Sequence, residues 1–175
     1  MLWKPLICDN VQFAPQLKRI SLDRARDIGM DPVDSLEAGR RVLDPLMTNA
    51  GFRFVPGPAG KGSGGHFASG SYVRGARQLE VHFRWSLGLV TYHFDDRELS
   101  HEAFMWSVLG GAAGNKYPGF SEDPMQGFRD LADDLERHGR EFLVGSDEAL
   151  KQRFDHAAAH PKPTGFKAII DRGAV

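Results

Sequence analysis

From Leu79 to Ser86 the chain alternates, with Leu79, Val81, Phe83 and Trp85 apolar and Glu80, His82, Arg84 and Ser86 polar. A period of two puts the sets on opposite sides of an extended chain, so this stretch predicts a strand with one buried face and one wet face. On that pattern Phe83 and Trp85 are expected in the core, and His82 and Arg84 outside it. The segments 52–57 (FRFVPG), 66–74 (HFASGSYVR) and 89–94 (LVTYHF) are rich in aromatic and β-branched residues, and turn signals at 74–77 (RGAR) and 86–88 (SLG) separate them. Links this short leave no room for helical crossovers, so the four strands are predicted to form an antiparallel meander.

Helical patterns flank this centre. Asp31 caps and Pro32 opens a first helix whose stripe is Val33, Leu36, Val42, Leu43, Leu46 and Met47. Pro45 is expected to kink or restart it with Asp44 as a new cap, and Gly51 to end it. Ser100 caps a second helix, FMWSVL being apolar nearly all round, which suits deep burial or a partner. Asp123, Pro124 and Gln126 start the strongest helix, with Phe128, Leu131, Leu135 and Phe142 on one face and Asp130, Asp133, Asp134 and Glu136 on the other. Ser146 caps a last helix through Leu150, Phe154 and Ala157, stopped by HPKP. Residues 15–29 have weak helical spacing, and the tail at 161–175 is expected to dock through Phe166, Ile169 and Ile170 or to fray. The prediction is one α+β domain over residues 1–175, in two layers: an N-terminal helix, a four-stranded antiparallel meander, and C-terminal helices packed on one face.

With 41% hydrophobic and 26% charged residues in 175, the composition is that of a globular domain. One cysteine, Cys8, excludes an internal disulfide, and no zinc-type Cys/His spacing is present. No apolar run is long enough to span a membrane. The opening MLWKPLICDNVQFAP has no signal-peptide pattern, so a cytoplasmic location is expected. The net charge of −1 conceals a segregation. Residues 52–97 carry six Lys/Arg against three Asp/Glu, and residues 120–160 carry five against ten.

The glycine-rich run GPAGKGSGG at 57–65 resembles a phosphate-binding loop only superficially. Gly60–Lys61 is followed by Gly62, the serine comes one place late, and Val55 stands where the first glycine should be. The residues after the run are strand-like, so no helix N-terminus is offered to a phosphate. The run is expected to be a flexible connector, and the absence of a strand–turn–helix unit excludes a dinucleotide fingerprint.

Candidate chemistry is sparse. His93, Asp95, Asp96, His101 and Glu102 lie close in sequence, but without metal-ligand spacing they are read as turn and capping residues. No nucleophile elbow surrounds Ser63, Ser69 or Ser71, and no catalytic residue or cofactor is assigned. Nucleic acid is disfavoured by the absence of any Lys/Arg run. The remaining candidate is a binding face made of Arg74, Arg77, His82, Arg84 and His93, whose guanidinium forks suit carboxylates or phosphates on a partner.

The succession LMTNAGFRFVPG, FASGSYVRGARQLEVHFRWSLGLVTYHF and LSHEAFMWSVLG, across about residues 43–145, resembles small bacterial α+β domains of unknown function, some of them immunity-type proteins that cover a toxin's active site. That resemblance implies a non-catalytic domain whose partner is another protein, and it leaves homo-oligomerisation open. The alternative is a small-molecule-binding protein or enzyme, with His82, Arg84 and His93 lining a pocket beneath a glycine-rich lid.

Overall fold

The computed structural model describes residues 31–112 and 114–163. Cys8, the weak helical pattern at 15–29 and the apolar residues of the C-terminal tail lie outside them. The order of elements is α1 (Pro32–Asn49), β1 (Arg53–Gly62), β2 (Gly65–Arg74), β3 (Arg77–Phe83), β4 (Leu87–Phe94), β5 (Arg97–Ser100), α2 (His101–Val108), α3 (Gln126–His138), α4 (Arg140–Val144) and α5 (Asp147–Ala159). The strands form one antiparallel sheet in sequence order, β1-β2-β3-β4-β5. This is the expected α+β meander with helices on one face, but it has five strands rather than four. The fifth, RELS, is too short and too polar to show alternation.

The core lies between sheet and helices. Tyr72, Leu79, Val81, Phe83, Val90, Tyr92 and Phe94 point inward from the sheet to meet Leu43, Met47, Phe104, Phe128, Leu131, Leu135, Phe142 and Phe154. Tyr92 stacks on Phe104 at 4.3 Å and meets Phe142 edge-on at 4.8 Å, while Phe83 stacks on Phe128 at 6.0 Å. Helix α1 packs against α3 at Gly39, where a Cβ would overlap the Phe128 ring.

Local chemistry explains the ends. Asp31 Oδ1 accepts from Val33 N, and the Ser100 and Ser146 hydroxyls accept from Ala103 N and Ala149 N. Asp123 instead caps a turn, accepting from Met125 N, so α3 begins two residues later than its Pro124 suggests. Helix α1 runs unbroken through Pro45. Asp44 is therefore not a second cap; it accepts from the Tyr72 hydroxyl at 2.7 Å and from Arg40 Nε at 3.1 Å, tying α1 to β2.

The glycine-rich run also differs from the expected layout. It is no free connector, because β1 extends to Gly62 and pairs with β2 through Gly60↔Phe67, Lys61↔His66 and Gly62↔Gly65. Only Ser63 and Gly64 form the turn. A Cβ on Gly64 would meet only the movable end of the Arg84 side chain, whereas one on Gly65 would stand 2.9 Å from the Trp85 ring. Gly65 also has φ of +104°, a conformation that L side chains rarely adopt.

Candidate functional site

The sheet face turned away from the helices carries most of the sequence-predicted residues. On β3, His82 and Glu80 alternate with the buried Val81, and on β4, Thr91 and His93 alternate with the buried Val90 and Tyr92. His82 stacks on Phe67 of β2 with ring centroids 5.4 Å apart. His93 Nε2 lies 3.2 Å from Glu80 Oε2, and Gln78 Nε2 donates to Ser71 Oγ at 3.0 Å. These are cross-strand pairs on one surface. The guanidinium of Arg84 rests on the β1–β2 turn, and its Nε is buried without a hydrogen-bond partner.

Arg77 does not belong to this face. It is 2% exposed and in phase with Leu79, Val81 and Phe83, so it points toward the helices. Its guanidinium donates to the carbonyls of Glu141, Phe142 and Gly145 at 3.0, 2.8 and 2.6 Å and to Asp147 Oδ1 at 2.7 Å. The orphan carbonyls at the end of α4 supply the acceptors that a buried guanidinium requires. Arg74 is likewise occupied on the inner side, donating to Ala50 O at 2.6 Å and lying 4.8 Å over the Phe52 ring. Burial of the partly covered Arg74, then the like charge of Arg77, lowers its affinity for its proton.

Trp85, expected in the core, is 71% exposed. Strand β3 ends at Phe83, and the register against β4 shifts between Val81 and Phe83. The alternation that would bury Trp85 therefore stops one place early. Leu89, one place before the buried Val90, faces outward and is 75% exposed, while the shift brings Leu87 inward opposite Phe83. Trp85 and Leu89, with Arg84, His82 and Phe67, thus mark one end of the open face as apolar and basic. Sequence reasoning missed Leu89, although its phase opposite to Val90, Tyr92 and Phe94 already placed it on the outer face.

A second polar constellation was also missed. Asp134, read as part of a solvated helix face, is 1% exposed, and His101 is 2% exposed. His101 Nε2 lies 3.1 Å from Asp134 Oδ2, and its Nδ1 lies 2.8 Å from the Tyr92 hydroxyl. Asp134 also accepts from the backbone N–H groups of Lys116 and Tyr117, each at 2.8 Å. Burial pushes the Asp134 carboxyl up, but the bonds from His101, Lys116 and Tyr117 outweigh it and hold it below the usual carboxylate range. Burial raises Tyr92 well above its ordinary value, with the Asp134 charge adding to it. Burial, then Glu102, pushes Tyr117 up to about 12.

This Tyr–His–Asp set has the composition of an acid–base relay, and all three of its side chains are buried. Its effect is mechanical. It fixes the loop after α2, and Tyr117 of that loop donates its hydroxyl to Leu87 O at 3.2 Å and to Gly88 O, beside the outward Leu89.

Among the described residues no group of three or more His, Cys, Asp or Glu side chains is placed to hold a metal ion. A shallow cleft of about 290 Å³ lies between α4 and α5, lined by Glu141, Ala149, Gln152, Arg153 and His156, away from His82, Arg84 and His93. No described helix is long and apolar enough to cross a membrane. The chain matches no protein-family model, no curated protein and no solved structure.

Proposed function

We propose that this chain is a protein-binding domain without catalytic activity, and that it docks through the open sheet face at the end marked by Arg84, Trp85 and Leu89. The observation that carries the reading is the exposure of Trp85 and Leu89, 71% and 75%, at the end of the face that carries Arg84 and His82. Large exposed side chains cost solubility unless something covers them, and Trp and Arg are the residue types that dominate binding energy at protein interfaces. His82 and Arg84 make this end basic, so the partner is an acidic protein surface with an apolar recess for the indole.

His82, Arg84 and His93 each have separate neighbours, which favours a contact surface over a shared small-molecule pocket. The specific form of the role is immunity-type: a cytoplasmic domain that neutralises a toxin by covering its active site. A photo-crosslinking residue placed at 85 or 89 tests it, with one at the exposed Lys151 position of α5 as reference. The expected result is one protein captured from native cells at 85 and 89 but not at 151, with Arg84→Glu reducing capture. Capture at 151 alone, or none at 85 and 89, overturns the reading.

A further inference from the structure

Two histidines at the end of α5 play no part in that face. His156 and His160 are four residues apart, so one helical turn brings their side chains to the same side. Both are exposed, and their rings lie 4.5 Å apart between centroids at an interplanar angle of 23°. The other described histidines in ring contacts or polar pairs have different neighbours: His82 has Phe67, His93 has Glu80, and His101 has Tyr92 and Asp134.

The hydrogen bonding at this pair sets up a ligand atom. His160 Nδ1 lies 3.1 Å from the carbonyl oxygen of His156. A carbonyl only accepts, so the bond places a hydrogen on Nδ1 and leaves Nε2 with its lone pair in the neutral ring. An imidazole anchored by one N–H on a backbone carbonyl, with the other nitrogen free, is the state in which proteins present histidine to a metal.

The electrostatics agree. The pair sits at the helix C-terminus, the negative end of its dipole, where a cation is favoured. Two cationic side chains close in sequence are engaged elsewhere, with Arg153 forked onto Glu141 at 2.7 and 2.8 Å and Lys162 Nζ 3.3 Å from Glu102.

We propose that His156 and His160 form a surface site for a borderline divalent transition-metal ion: Cu²⁺, Ni²⁺ or Zn²⁺. Two imidazole nitrogens are the protein ligands, brought to converge by rotation of the exposed rings out of their stacked arrangement, and water fills the remaining positions. Imidazole selects these ions over Mg²⁺ and Ca²⁺, which demand several oxygen ligands. With two ligands the site is open and exchanges its ion readily, unlike the closed four-ligand sites that hold folds together.

The test is calorimetric titration of the full chain with CuCl₂, ZnCl₂ and MgCl₂ at about pH 7.5, repeated for His156→Ala and His160→Ala. Both side chains are exposed, so the variants are expected to fold as the parent does, and circular dichroism checks this. The expected result is one equivalent of Cu²⁺ bound more tightly than Zn²⁺, no heat with Mg²⁺, and each variant weakened about tenfold or more. Acid competes for the same nitrogens, so binding is also expected to weaken at least about tenfold near pH 5. Undiminished Cu²⁺ binding by both variants would place the ion elsewhere and overturn the proposal, as would a Mg²⁺ response equal to that of Zn²⁺. Neither outcome bears on the docking face, which these substitutions do not touch.

Discussion

Replacing Arg77 by Met should cost stability even though a buried guanidinium is given up for a well-packing apolar side chain of similar length. Buried ion pairs can often be exchanged for hydrophobic residues at little loss, because both charged partners are removed together. Here the partners are mostly backbone. The carbonyls of Glu141, Phe142 and Gly145 remain after the substitution, and only Glu141 O keeps a second donor, Gly145 N at 3.2 Å. Asp147 contributes little to the loss, since its side chain is 74% exposed and is rehydrated. Leaving the Phe142 and Gly145 carbonyls without their charged donor costs about 1–3 kcal/mol each, so Arg77→Met is expected to lose about 2–6 kcal/mol. Arg77→Ala adds the lost packing of the alkyl stem, and Arg77→Lys recovers only part, because one ammonium cannot span three carbonyls arranged for a fork. Urea unfolding followed by circular dichroism measures this directly, with the slope checking that the transition stays two-state. A midpoint for Arg77→Met within about 1 kcal/mol of the parent, at unchanged slope, refutes the reasoning and means that water or a local shift satisfies those carbonyls.

Asp134→Asn is expected to lose about 2 kcal/mol at neutral pH, since the amide cannot accept from His101 as a charge does. Because the Asp134 carboxyl is held below its ordinary value, its contribution is fully present above the unfolded value near 3.9 and fades as pH falls through the lower folded one. Acid titration of stability should therefore be flatter below about pH 4 in the Asn variant. Gly39→Ala should destabilise by about 1–3 kcal/mol despite alanine's better helix propensity, because the methyl meets the Phe128 ring; thermal unfolding reads it. Trp85→Ala with Leu89→Ser should change stability by less than about 1 kcal/mol, whereas Phe83→Ala should cost about 3–5 kcal/mol. A large loss in the first pair would mean that those side chains are covered within the chain.

Much of the fold was legible because it follows local rules. Ser100 and Ser146 cap the helices they precede, and Phe128, Leu131, Leu135 and Phe142 are fully buried, as their spacing demands. The polar interior was not legible, for a physical reason. Asp134 is one of a crowd of carboxylates on α3, and nothing in ADDLE distinguishes it from Asp133, which pairs with Lys116 and Arg137 at 26% exposure. What buries Asp134 is a loop nearly twenty residues upstream that brings two free backbone N–H groups and His101 to it. Such a site is defined by its acceptors and donors in three dimensions, and no periodicity carries that information.

The misplacements of Arg77 and Trp85 come from a single cause. Alternation is a property of a paired strand rather than of the residue types written along it. Arg77 opens β3 paired with Phe94, so it shares the phase of Leu79, Val81 and Phe83 and must enter the interior despite its charge. Trp85 has the same phase on paper but lies past Phe83, where pairing ends, so nothing directs it inward. A charged side chain inside the pairing is buried and must find carbonyls, while an indole outside it is left in solvent. The inner position is thereby tied to stability through α4. The outer one, free of the core, is where the chain can vary or bind without unfolding, which is why the proposed contact rests on Trp85 and Leu89 and not on Arg77.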